Sequence, residues 1–165
     1  MICISPGLKS SDFAADILFL VDNSDFVTNE EFESQLDFIK SIARKMHISP
    51  EGTRVGMITY NFNPKLIVDF ESYNTAEKLF SRLDELPKGL GSRRLDLAID
   101  LARNVFANSR QNAAKVMVVF AKGRQLTDPS SRSLSEVIKP LVRLDVVTLA
   151  VGIGQDANIQ QLTSI

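Results

Sequence analysis

Apolar positions along this chain fall into two kinds of run. Ile17-Leu18-Phe19-Leu20-Val21, Val116-Met117-Val118-Val119-Phe120 and Val146-Val147-Thr148-Leu149-Ala150-Val151 are near-continuous stretches of strand length. Continuity, as opposed to alternation, predicts strands covered on both faces, the pattern of a parallel sheet. The second kind has helical spacing. Phe32, Leu36, Ile39, Ala43 and Met46 recur over Glu30–Met46 behind Thr28-Asn29, which offer capping side chains. Thr75 caps a helix carrying Ala76, Leu79, Phe80 and Leu83, ended by Pro87 and Gly89, and Gly91-Ser92 leads into another with Leu95, Ala98, Ile99, Ala102 and Phe106 inward. A Ser-capped helix is predicted to bury Leu134, Val137, Ile138, Leu141 and Val142, and Gln155 to Ile165 starts a further helix. Val55–Tyr60 and Lys65–Phe70 flank Asn61-Phe62-Asn63-Pro64, a turn-forming loop, and so predict a hairpin.

Strands alternating with helices of this length require right-handed crossovers. The predicted fold is therefore a doubly wound α/β domain: a mostly parallel sheet with one antiparallel edge strand and helices on both faces. A length of 165 residues suits one such domain. Residues 1–15, punctuated by Pro6-Gly7 and Lys9-Ser10-Ser11-Asp12, read as a linker, and residues 16–165 as the domain, stopping short of the last strand and helix usual for such a sheet.

Composition narrows the chemistry. Nineteen basic against twenty acidic residues give a net charge of −1, so no global field draws a polyanion, and nucleic acid is not an expected partner. Cys3 is the single cysteine, which excludes an internal disulfide and a cysteine-based metal site; pairing with another chain and a free thiol both remain open to it. His47 is the single histidine and lies in a helix-exit context, where histidine complements the last carbonyls. No apolar run is long enough to span a bilayer. Gly89-Leu90-Gly91 has Arg94 where a dinucleotide fingerprint needs its third glycine, and no strand directly precedes it.

In open α/β sheets ligands bind where the loops at the carboxyl ends of the strands converge. Asp22-Asn23-Ser24-Asp25-Phe26, Gly89 to Arg94, and Ala121-Lys122-Gly123-Arg124 are predicted to meet there. Asp16 to Ser24, the hairpin, Lys115 to Phe120 and Val147 to Gly154 together resemble a von Willebrand factor type A domain. In that family an Asp-x-Ser-x-Ser motif, a Thr and a second Asp hold Mg²⁺ in a metal-ion-dependent adhesion site. By this resemblance Asp22 and Ser24 match the first two positions, Phe26 stands at the second Ser, Arg93 at the Thr and Lys122 at the second Asp. A hard dication needs oxygen ligands and carboxylate charge. Three of five ligand positions are lost, and two of the replacements are cationic. The expectation is a vestigial site with no metal and no cofactor, in which Lys122 or Arg93 supplies the counter-charge to Asp22. Asp22 and Ser24 equally suit a structural turn after a strand.

The resemblance further implies a secreted, non-enzymatic interaction module of the extracellular matrix, one of several in a microfibril-forming collagen, with other matrix proteins or neighbouring A domains as partners. Arg93, Arg94, Lys122 and Arg124 form a cationic rim that suits an acidic or sulfated-glycan contact. Two rival readings use the same rim: a metal-dependent adhesion domain with unusual ligands, and a small α/β nucleotide-binding enzyme.

Overall fold

The computed structural model describes residues 14–123, 129–154 and 157. In chain order the elements are β1 (Ala15–Asp22), α1 (Asn29–Ala43), β2 (Thr53–Tyr60), β3 (Lys65–Val68), α2 (Ala76–Asp84), α3 (Leu95–Ala107), β4 (Ala114–Ala121), α4 (Leu134–Val137), α5 (Lys139–Val142) and β5 (Val146–Gly152). The sheet runs β3-β2-β1-β4-β5. Every pairing is parallel except β2 with β3, which is the predicted hairpin.

The continuous apolar run of β1 is explained by two cores. Ile17, Phe19 and Val21 face α1 and α2, packing with Phe32, Leu36, Ile39, Leu79 and Leu83. Leu18 and Leu20 face α3 and α4, packing with Leu95, Ala98, Ile99, Phe106 and Leu134. With side chains alternating across a strand, both sets must be apolar when both faces are covered. The helix starts follow their side chains. Thr28 and Glu31 form a reciprocal capping box on α1, and the Thr75 hydroxyl accepts from the Lys78 N–H on α2.

Two elements differ from the sequence expectation. The helix predicted to run through Leu134 and Val142 is broken into α4 and α5, with Pro140 in the first turn of α5. Proline has no N–H to donate and its ring crowds the preceding turn, so the first helix ends before it. Val142 is consequently 63% exposed, not buried. β5 was expected to be covered on both faces, but it lies at an edge of the described sheet with Val147 and Leu149 turned outward. Apart from residue 157, the predicted Gln155–Ile165 helix lies outside the described residues, as do residues 1–13 of the predicted linker, whose last residue, Ala15, already belongs to β1.

Below the sheet, at the amino end of β1, buried Asp16 accepts from the Arg54 guanidinium at 2.8 and 2.7 Å. Arg110 adds contacts of 3.1 and 2.6 Å to the same carboxylate and donates to the carbonyls of Ala15 and Gly52. This cluster ties β1 to the turn before β2 and to the segment after α3.

Candidate functional site

Strand order reverses at β1: β2 and β3 lie on one side, β4 and β5 on the other. The carboxyl ends of β1 and β4 therefore flank the switch point, where crossover helices leave on opposite faces and a crevice is left open. Asp22 ends β1 there. Its peptide is clamped by Gln35 of α1, whose Oε1 accepts from the Asp22 N–H (2.8 Å) and whose Nε2 donates to the Asp22 carbonyl (3.0 Å). Asp22 Oδ1 accepts from the Ser24 N–H at 3.0 Å, an Asx-type turn. Tyr60 Oη donates to the Phe120 carbonyl at 2.5 Å, joining β2 to β4 across this end.

The loop before α3 is stapled to the loop after β1. The Asp25 N–H donates to the Gly91 carbonyl (3.0 Å), the Gly91 N–H donates to Asp25 Oδ2 (2.8 Å), and the Gly89 N–H donates to Asn23 Oδ1. Gly91 has φ of 104°, open to glycine at little cost. Asn61 Nδ2, from the hairpin turn, donates to the Leu90 carbonyl at 2.7 Å. Three loops thus form one rim surface, and it exposes three large apolar side chains, Phe26, Phe62 and Leu90.

Asp22 and Ser24 are fully buried, yet among the described residues Asp22 Oδ2 and Ser24 Oγ have no hydrogen-bond partner, nor does the buried Nε of Arg93. Burial pushes the Asp22 carboxyl above its ordinary range, against the hydrogen bond from the Ser24 N–H and the charges of Arg93 and Lys88. The Arg93 guanidinium carbon sits over the Phe26 ring, 4.4 Å from its centroid. Its terminal nitrogens pass beside Gly123, where a Cβ would meet them at 3.2 and 3.3 Å and φ is already +62°. Phe26 and Arg93, far apart in the chain, therefore pack on each other at the rim.

Lys122 behaves otherwise. Its ammonium contacts both Glu31 oxygens at 2.7 Å instead of turning to Asp22. Glu31 is available because the capping box has already drawn it to the start of α1. The Lys122 hydrogen bond, with that of the Thr28 N–H, holds the Glu31 carboxyl below its ordinary range. The cation that does reach the Asp22 loop was missed from the sequence: Lys88 Nζ donates to the Ser24 carbonyl at 2.6 Å and to the Gly89 carbonyl at 3.1 Å. No spacing rule links residue 88 to residue 24; only the packing of the loops does.

Arg94 also departs from the expected rim. It is 5% exposed and forks onto buried Asp96 with two contacts of 2.9 Å, and it reaches Ser130 Oγ at 3.1 Å. A guanidinium held this way has its planar donors saturated and is not a surface contact. Arg124 lies outside the described residues. His47 precedes β2, at the opposite end of the sheet from the rim, and the Gly89-Leu90-Gly91 loop follows α2, not a strand.

Two oxygen-bearing side chains, with an arginine and a lysine where two further donors would stand, do not fit a hard dication. Among the described residues no group of three or more His, Cys, Asp or Glu is arranged to hold a metal ion. Fold and rim together define a class: a doubly wound α/β binding module whose site is built from loops at the strand ends. A model of the von Willebrand factor type A domain matches residues 16–165, and the chain belongs to that family. It is 28% identical over 146 residues to vitrin of Mus musculus, covering 88% of this chain and 22% of vitrin. It is 30% identical over 154 residues to the collagen alpha-4(VI) chain of Mus musculus, covering 92% of this chain and 6% of the collagen. The chain thus spans about a fifth of vitrin and much less of the collagen. In fold it is similar to proximal thread matrix protein 1 from the mussel byssus, solved with a zinc-occupied metal-ion-dependent adhesion site, with a TM-score of 0.82 and 18% identity over 93% of this chain and 41% of that one.

Proposed function

We propose that residues 16–165 form a non-enzymatic, secreted interaction module of the extracellular matrix, preceded by a linker over 1–15, whose adhesion site works without a metal ion. Its partners are other matrix proteins or neighbouring A domains, and its setting is a microfibril-forming collagen resembling the amino-terminal A domains of the collagen type VI alpha-3 chain. The kinship with vitrin, with type VI collagen chains and with a byssal matrix protein supports the matrix assignment.

One observation carries the metal-free reading: Arg93, at the position of a metal-binding threonine, is stacked on Phe26, at the position of a metal-binding serine. A guanidinium beside Asp22 repels a dication and offers it no lone pair. In place of an ion, the rim offers apolar anchors for a protein partner in Phe26, Phe62 and Leu90. With the only histidine at the far end of the sheet, the rim also lacks the usual general base of a hydrolase.

Isothermal titration with Mg²⁺ and Mn²⁺, and thermal melting in millimolar concentrations of each, test this reading. The wild-type chain is expected to give no saturable heat and no rise in melting temperature. The triple variant Phe26→Ser, Arg93→Thr, Lys122→Asp is expected to acquire both. Saturable binding of either ion by the wild-type chain overturns the proposal.

A further inference from the structure

Beside the rim, between the β2–β3 hairpin and the segment joining α2 to α3, a cleft of about 300 Å³ opens to solvent. That volume lies at the lower end of small-ligand sites. Lys65, Arg82 and Lys88 line it together with asparagines, including exposed Asn63, and none of its lining residues is a carboxylate. Elsewhere several inward-turned cations are coupled to acids: Arg54 and Arg110 to Asp16, Arg94 to Asp96, Lys122 to Glu31, Lys40 to Asp84. Those of the cleft have no such acid among its lining residues. Lys88 is held by the carbonyls of Ser24 and Gly89, which fix its position without cancelling its charge. Among the described residues Arg82 pairs with Glu85, 4.0 Å away and itself 74% exposed, a weak and screened pair. In a chain of net charge −1, three cations converging without a lining acid form a local anion site.

We infer that this cleft binds a sulfated sugar of a polysaccharide chain. The floor, formed by Ile67, Leu86 and Pro87, suits the C–H face of a pyranose ring. The Asn63 amide, as both donor and acceptor, suits ring hydroxyls, and the three cations suit sulfate oxygens. An acidic peptide meets the same cations, and its backbone can pair with the Asn63 amide, but its Asp and Glu side chains bring no C–H ring face to Ile67, Leu86 and Pro87. The site does not depend on the metal-free reading of the rim, because a dication at Asp22 would leave Lys65 and Arg82 where they are.

The test is titration of the full chain with a heparin-derived hexasaccharide, its chemically desulfated counterpart and a hexaglutamate peptide. Alongside the wild type stand the double variant Lys65→Glu, Arg82→Glu and the charge-matched double control Lys139→Glu, Arg143→Glu at the two ends of α5. The sulfated sugar is expected to bind saturably and the desulfated one not. The double variant is expected to weaken binding by about tenfold or more, and the control by less than about twofold. Amide shifts of the wild-type protein, which need no variant, are expected to cluster at residues 61–67 and 86–90. Equal loss in the double control, shifts spread elsewhere, hexaglutamate binding as tightly as the sulfated sugar, or no saturable binding at all would each overturn the inference.

Discussion

Replacing Asp22 by asparagine separates a metal ligand from a relic. In an occupied adhesion site this carboxylate is indispensable, so its loss destabilises the loaded protein. Here Asp22 is fully buried, its Oδ1 has a partner in the Ser24 N–H, and its Oδ2 has none. Arg93 and Lys88 act on it through charge alone and do not offset the burial that pushes its proton affinity up. In Asp22→Asn, Oδ1 still accepts from the Ser24 N–H. A neutral amide then stands where a buried carboxylate with a partnerless Oδ2 stood, and the burial cost of the charge is removed. An unsatisfied buried acceptor costs about 1–3 kcal/mol. Set against the lost attraction to the two cations, this gives a net stabilisation of about 1–2 kcal/mol at pH 7, or about 2–8 °C in melting temperature for a domain of this size. The sign of the pH dependence follows. Because the native carboxyl holds its proton at pH values where the unfolded one has released it, wild-type stability falls as pH rises from the ordinary carboxylate range through the raised native value. The advantage of Asp22→Asn is therefore expected to vanish in acid and to be complete above that window. Urea and thermal denaturation of both proteins from about pH 3 to pH 8, with chelator and with Mg²⁺, measure it. An asparagine variant less stable than wild type at pH 7, by a margin that grows with added Mg²⁺, would refute the reasoning.

Two further substitutions probe the charges around the sheet. Asp16→Asn leaves Arg54 and Arg110 facing a neutral amide and is expected to cost about 3 kcal/mol or more, or about 6–12 °C in melting temperature. Burial alone would raise the Asp16 carboxyl, but the hydrogen bonds of Arg54 and Arg110 outweigh it and hold the group below its ordinary range. Its contribution is thus present above that range and lost as pH falls through the native value, and denaturation curves of the two proteins should converge in acid. Lys122→Met frees Glu31 from its ion pair while keeping the Thr28 capping bond, and is expected to cost about 1 kcal/mol. Since the Glu31 carboxyl is also held low, this deficit too should shrink as pH drops; a deficit constant across the acid range would show that Lys122 acts through packing and not through charge.

What the residues alone determined was everything governed by local pattern. The alternate burial of β1, the Thr28 and Thr75 caps, the β2–β3 hairpin and the parallel order all follow from periods of 2 and 3.6 with the handedness of crossovers. Asp22, Ser24, Phe26, Arg93 and Lys122 were singled out through the family resemblance, and the fold carries them to the ends of β1 and β4 and the loop before α3. Their partners were not legible. Lys122 chose Glu31 because the α1 capping box places a carboxylate within reach of the β4 exit. Arg94 turned inward because Asp96 lies two residues on, beneath the start of α3. Lys88 reached the Asp22 loop through a contact between residues 64 positions apart. Side-chain pairing among long cations is decided by which carbonyl or carboxylate the packed loops bring within hydrogen-bond distance, and only the tertiary structure sets that distance.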